Sequence, residues 1–147
     1  MKVLIESDVI LGCHSIDQAQ RNACRQVLQQ IADATESIGC LCANSVTVLA
    51  EHLPHSIDSN QVRAALSRAC TTLQLLPADQ ALIRAALGRM QATPSLSLEQ
   101  ALLLETAERH AIDHLIALDT EALATSAVPV TTPVQWLSQP AHLTQAA

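Results

Sequence analysis

Five of the fourteen acidic residues stand where an apolar run gives way to polar sequence or where a helical segment begins. Glu6 and Asp8 follow the opening run KVLI, Glu51 lies in ANSVTVLAEHL, Glu99 sits near the start of SLEQALLLETA, and Asp119 closes HLIALD. Gathered carboxylates repel one another and take up protons unless a cation neutralises them. Hard oxygen ligands without imidazole or thiolate favour magnesium or manganese. A cation held in this way lowers the pKa of a bound water and offsets charge growing on a phosphoryl group, which suits phosphodiester hydrolysis. Helix-capping and surface acids would fill the same positions, so spacing by itself leaves both readings open.

Only a sheet that gathers distant segments can bring these acids together. Residues 2–5 read as a buried parallel strand ending near Glu6, with a helical turn through Val9, Ile10 and Leu11. Residues 16–31 carry Ala19, Ala23, Val27, Leu28 and Ile31 at helical spacing, and Gly39 is expected as a stop after this helix. Residues 40–43 are a short second strand, after which Asn44, Ser45 and Thr47 offer capping groups to a helix that Pro54 stops. A helix over 59–71 leads to a third strand at 73–76, closed by Pro77. The helix expected over 78–90 turns Leu82, Ile83, Ala86 and Leu87 inward. Ser97 caps a further helix to about His110, residues 115–118 form a fourth strand ending at Asp119, and residues 128–131 form a fifth.

Strand and helix alternate nearly throughout, which predicts a three-layer α/β/α fold around a central parallel sheet of four to five strands. A single domain over 1–138 is expected, with a weakly ordered C-terminal tail over 139–147. In open parallel sheets the site lies beyond the carboxyl ends of the strands. That rule places Glu6, Asp8 and Asp119 just past strand ends, Glu51 two turns into the helix after the second strand, and Glu99 in the first turn of its own helix.

The apolar share is 49%, yet the chain has no Phe, no Tyr and one Trp, so small aliphatic side chains must fill the core. The net charge of −6 has the wrong sign for attachment to nucleic acid or anionic membrane through overall charge, and any phosphate contact must be local. Arg21 with Arg25, Arg63 with Arg68, and Arg84 with Arg89 are spaced for one helical side, as solvated surface or as a phosphate-binding rim. No run approaches the roughly 18 apolar residues of a membrane span. Cys13, Cys24, Cys40, Cys42 and Cys70 are odd in number and read as reduced core thiols, which predicts a cytoplasmic location.

Other chemistries find no support. The six histidines share no strong ligand spacing, and Cys40-Leu41-Cys42 is not a thioredoxin-like pair. Enzymes with a nucleophilic aspartate after the first strand need a lysine beside the phosphoryl group, and the sole lysine, Lys2, is inside that strand. Gly12, Gly39 and Gly88 are isolated, so no glycine-rich phosphate loop exists.

Over roughly residues 2–137 the chain resembles the PIN-domain family of magnesium-dependent ribonucleases. VLIESDVILG is similar to the family's opening strand, aspartate, small residue, Asp or Asn, and apolar triplet. ANSVTVLAEHL resembles the Ser/Thr-rich helix start that leads to a glutamate. SLEQALLLETAERHAIDHLIALD resembles the block in which an acid precedes an alanine-rich helix and an aspartate follows the next strand, and VPVTTPVQWL is similar to the closing strand and its turn.

Carried over by residue, the resemblance puts Glu6 at the first aspartate, Glu51 at the glutamate, Gln100 at the third acid and Asp119 at the fourth. Glu6 is longer than aspartate by one methylene, which moves ligand oxygens by about an ångström against a cation with strict octahedral demands. Gln100 removes a charge, for which the neighbouring acids Asp8, Glu99 and Asp113 are the candidates to compensate. The family implies a Mg2+ or Mn2+ dependent endoribonuclease acting on single-stranded or structured RNA, the toxin of a toxin-antitoxin pair with a cognate antitoxin, and a homodimer. Its two departures imply reduced or lost activity. A catalytically inactive module that binds RNA or protein is the alternative.

Overall fold

The structure is a computed structural model that describes residues 1–139; from residue 140 onward the expected tail lies outside the described residues. Five strands, β1 (Lys2–Ile5), β2 (Ile38–Cys42), β3 (Gln74–Leu76), β4 (His114–Ile116) and β5 (Val130–Thr131), form one sheet in the order β3-β2-β1-β4-β5. Every pairing is parallel. The connections carry α1 (Ser7–Gly12), α2 (Gln18–Asp33), α3 (Ser45–His52), α4 (Ser59–Thr72), α5 (Gln80–Ala92) and α6 (Leu98–Arg109), and α7 (Pro133–Ser138) follows β5.

Alternation along each strand sends neighbouring side chains to opposite faces. Val3, Ile5, Leu41 and Ile116 join one buried cluster with Val9, Val27, Leu49, Ala69 and Trp136, which brings α1 to α4 and α7 onto that face. Leu4, Cys40, Cys42, Leu115 and Ala117 join another with Leu103, Leu104 and Ala107 of α6. Leu82 and Ala86 of α5 pack on Ala101 and Leu102 of α6. The result is the expected three-layer α/β/α architecture.

The chain steps outward from β1 to β2 and β3 with its helices on one face. It then crosses back past β1 to β4 with α5 and α6 on the other. A right-handed crossover requires this change of face when the direction of travel reverses. The reversal falls between β1 and β4, and opens a crevice at their carboxyl ends.

Several boundaries differ from the sequence reading. Asp17 caps α2 through Gln20 N, so the helix begins at Gln18 and leaves Ile16 fully exposed. Gly39 is not a helix stop but the second residue of β2, which begins at Ile38. Strand β4 begins one residue earlier than expected, at His114, and ends at Ile116, and β5 keeps only its last two residues. On α5, Ile83 and Leu87 are 40% and 46% exposed, since α6 covers only the Leu82 and Ala86 edge. Arg89 joins α5 to Glu105 and Glu108 of α6 at 2.7 and 2.6 Å, and Arg109 of α6 reaches Asp79 at 2.6 Å.

Four of the six paired arginines make contacts within the fold, Arg89 through the ion pairs just described. Arg21 and Arg25 donate to the carbonyls of Ser15 and Cys13, and Arg63 donates to Asn60. Four of the five thiols are buried, Cys70 is exposed, and all are free. No helix among the described residues is long and apolar enough to cross a membrane.

Glycine at 39 is required by close approach: a Cβ there would overlap Ile31 of α2 and Leu73 beside β3. Both neighbours are buried and the branched Ile31 is stiff at χ1. Gly39→Ala is expected to destabilise the fold by about 1–3 kcal/mol through overpacking. Gly88→Ala, on the open side of α5 with nothing near its Cβ, should be neutral or stabilise by up to about 1 kcal/mol. Urea unfolding midpoints of the two variants check this ordering.

Candidate functional site

The amide of Glu6 continues the sheet by donating to Ile116 O at 3.0 Å, and the Glu6 carbonyl accepts from Val9 N to start α1. Its side chain therefore leaves the chain where β1 becomes helix, beside β4, and is buried, with 6% of its surface exposed. Asp8, in the first turn of α1, accepts from Leu118 N at 2.8 Å and ties this turn to the loop that follows β4. Ser7 Oγ donates to Glu99 Oε1 at 2.5 Å, pulling the N-terminus of α6 toward the same point. Asp119 lies exposed on the loop after β4, where its Oδ1 accepts from Ala122 N.

These four carboxylates act on one another. Burial, followed by the proximity and hydrogen bonding of Asp8 and then by the charges of Glu99 and Asp119, pushes the Glu6 carboxyl from 4.5 to about 9. Asp8 is also raised, chiefly by burial, while the amides of Leu118, Asp119 and Val9 pull it back. A proton on Glu6 bridging to Asp8 thus stands where a cation would otherwise be needed. With both groups ionised, Glu6 Oε2 and Asp8 Oδ1 are buried and lack any hydrogen-bond partner. Cys42, at the end of β2, feels the same charges: its thiol is pushed up to about 11 by burial first, with Glu99 and Glu6 adding to it.

The structure treats the remaining sequence candidates differently. Gln100 is engaged elsewhere, since its Oε1 accepts from Ser97 N and its own amide donates to Ser97 Oγ, closing the capping box of α6. Glu99, one residue earlier, is the α6 acid that faces Glu6. Glu51 is exposed in the last turn of α3, about 9 Å of helical rise beyond Ser45. Asp113 accepts from Lys2 N at 2.7 Å and therefore lies at the amino end of β1, opposite the cluster. Ser7 escapes a reading of the sequence, because nothing in ESDVI separates a serine that orients a carboxylate from one that begins a helix.

The donor set suits a hard divalent cation: carboxylate oxygens, two of them buried and unpartnered, without imidazole or thiolate among the grouped acids. Among the described residues no group of three or more His, Cys, Asp or Glu side chains is placed to hold a metal ion. Magnesium commonly uses one or two carboxylates and keeps several waters, which this arrangement permits. A cavity of about 550 Å3 between α2 and α4, lined by Arg25 and Arg68 among others, contains none of these acids.

No protein-family model and no curated protein matches the chain. Solved structures do. VapC20 of Mycobacterium tuberculosis, a sarcin-ricin loop cleaving toxin, aligns with a TM-score of 0.70 at 12% identity, covering 84% of this chain and 94% of that one. VapBC2 of Rickettsia felis, bound to a DNA fragment from its promoter, aligns at 0.68 and 9% identity, covering 90% and 98%. A toxin-antitoxin complex from Klebsiella pneumoniae aligns at 0.62 and 20% identity, covering 89% and 97%. The class is thus a doubly wound α/β domain with an acidic switch point. Its fold is PIN-like, as the four sequence blocks imply.

The raised Glu6 pKa makes stability depend on pH in a defined direction. Between about 4.5 and about 9 the folded protein holds a proton that the unfolded chain has released. The stability contributed by neutral Glu6 is therefore complete below 4.5 and is lost as pH rises toward 9, at up to about 1.4 kcal/mol per pH unit for each proton. In chelator the melting temperature should fall across this window, and Glu6→Gln should flatten the fall. A parent profile that is flat or rises would contradict the burial of an ionisable Glu6.

Proposed function

We propose that this chain is a divalent-cation-dependent endoribonuclease, the toxin of a toxin-antitoxin pair, whose acidic site is assembled from Glu6, Asp8, Glu99 and Asp119. The observation that carries the reading is the pair of buried, unpartnered carboxylate oxygens on Glu6 and Asp8 at the switch point of a PIN-like fold. Glu99 supplies the α6 charge that Gln100 lacks, and Glu51 would join only through water. The likeness to toxins, one of them described as cleaving the sarcin-ricin loop, supports RNA as substrate and an antitoxin as partner. Ile83 and Leu87, exposed one turn apart on α5, are the apolar surface that supports a homodimer. A cytoplasmic location completes the reading.

Glu6, Asp8, Glu99 and Asp119 would hold magnesium or manganese, directly or through its waters. Such an ion supplies an acidified water and positive charge beside the phosphoryl oxygens. The protein's own groups prepare the site. Asp8, fixed by Leu118 N, stays oriented; Glu6, which holds a proton in the absence of a cation, would be the carboxylate to ionise on binding one; Ser7 fixes the Glu99 carboxylate. Asp119, at the exposed rim, meets the substrate side.

The second reading, an inactive RNA- or protein-binding module, draws on Gln100, which offers no charge and spends its carbonyl on Ser97. RNA cleavage in millimolar Mn2+ against chelator separates the two. The parent should cleave single-stranded or structured RNA only with the cation. Glu99→Gln and Asp119→Asn should each reduce the rate on the order of 10²-fold or more, the scale of losing one preorganised electrostatic group. Gln100→Ala should reduce the rate far less than either, through looser placement of Glu99, while costing about 1 kcal/mol from the lost cap. A parent stabilised by Mn2+ yet silent on RNA would favour the inactive module.

A further inference from the structure

With Glu6 and Asp8 ionised, four buried side-chain oxygens among the described residues lack a hydrogen-bond partner: Glu6 Oε2, Asp8 Oδ1, Asn44 Oδ1 and Ser45 Oγ. Native folds leave few such atoms, and each calls for an explanation. The first two belong to the acidic cluster. The other two are neutral, lie on consecutive residues, and stand at the start of α3, after β2.

The helix starts show how unusual this is. Helices α2, α4, α5, α6 and α7 are each capped by the side chain of their N-cap residue, Asp17, Asp58, Asp79, Ser97 and Thr132. Only α1 and α3 lack that bond, and their N-cap residues are Glu6 and Asn44. Asn44 is among the residue types best suited to capping. Here its backbone is already helical, with φ −65° and ψ −25°, and Thr47 is bound to its carbonyl through both N and Oγ1. Its side chain is thereby released from the helix start. Ser45, 1% exposed, is buried with its hydroxyl unmatched.

Both residues follow the end of β2, which is paired with β1 in parallel register, Leu4 opposite Cys40. Helices α1 and α3 pack on each other. Cys42 lies within the influence of Glu6 and Glu99, and Asn44 comes two residues later. Two uncapped helix starts with four unmatched oxygens therefore stand side by side at the carboxyl ends of adjacent strands.

We infer that Asn44 Oδ1 and Ser45 Oγ are neutral ligand oxygens of the cation site, facing Glu6 and Asp8 and completing the shell that the carboxylates alone leave open. This rests on the cation-dependent reading above. The occupant must satisfy acceptors from both sides. A phosphate oxygen would be repelled by Glu6 and Asp8, and a sugar hydroxyl has one proton to give. A hydrated divalent cation meets all four.

Mn2+ binding, followed by the paramagnetic signal of the free ion, and melting temperature in chelator together test the assignment on the full chain. Ser45→Ala and Asn44→Ala should each weaken Mn2+ binding roughly tenfold or more, the scale of removing an oxygen that supports a metal. Neither should melt below the parent in chelator, because each deletes a buried group that has no partner. Ser45→Thr should retain binding, and Asn44→Asp should bind Mn2+ more tightly while melting lower in chelator. Parent-like Mn2+ affinity in both alanine variants would overturn the inference and leave the acidic site standing. A lower chelator melting temperature in Ser45→Ala, or failure of that variant to fold, would also overturn it by revealing a structural partner for the hydroxyl. If the parent binds no Mn2+, the cation-dependent reading fails and this inference fails with it.

Discussion

Burying Glu6 at the junction of β1 and α1 is the constraint from which the site follows. A carboxylate taken out of water next to two or three others is not stable as an isolated charge, and the molecule must neutralise it with a proton or a cation. Without a cation a proton does this, shared with Asp8, whose own orientation is fixed by the amide of Leu118. The arrangement is held on three sides: β4 binds the Glu6 amide, the loop after β4 binds Asp8, and α6 is drawn in by Ser7 and Glu99. A buried, crowded carboxylate costs stability, and here that cost sits where the doubly wound topology opens a crevice.

The rest of the fold answers to that placement. Helix α6 presents Glu99 only because Ser97 and Gln100 fix its first turn and because Arg89 and Arg109 join it to α5. These ion pairs are partly exposed and each contributes little by itself; Leu82 and Ala86 against Ala101 and Leu102 do most of the holding. The ion pairs select which face of α5 meets α6, and the same selection leaves Ile83 and Leu87 exposed.

Much of this was legible in the sequence. Short apolar runs marked all five strands and their order of appearance, the alternation with helical periods gave the layers, and Ser97, Asn44 and Pro54 placed helix ends to within a residue or two. The strand-end rule found Glu6, Asp8 and Asp119. What stayed hidden has identifiable causes. Gly39 carries the same signal as a helix stop, and only the approach of Ile31 and Leu73 explains it. Helix α6 ends at Arg109 without glycine or proline, and the left-handed turn after it falls on Ala111 with φ 50°, so its stop could be placed only to within a residue. Periodicity cannot tell which of Ile83 and Leu82 meets a neighbour, because that depends on where α6 lies.

The site was harder still, for a reason that concerns helix geometry. Glu99 and Gln100 are adjacent in sequence but diverge by about 100° around the helix axis. A motif match chooses between them by alignment, whereas the capping box chooses by hydrogen bonding: the third residue of the helix is the one whose side chain can return to Ser97 N. Once Gln100 is committed there, the residue before it is turned toward α1, and Ser7 is placed to receive it. Glutamine at 100 thus fixes the start of α6 through Ser97, and the carboxylate that α6 turns toward Glu6 is the one at 99, held by Ser7.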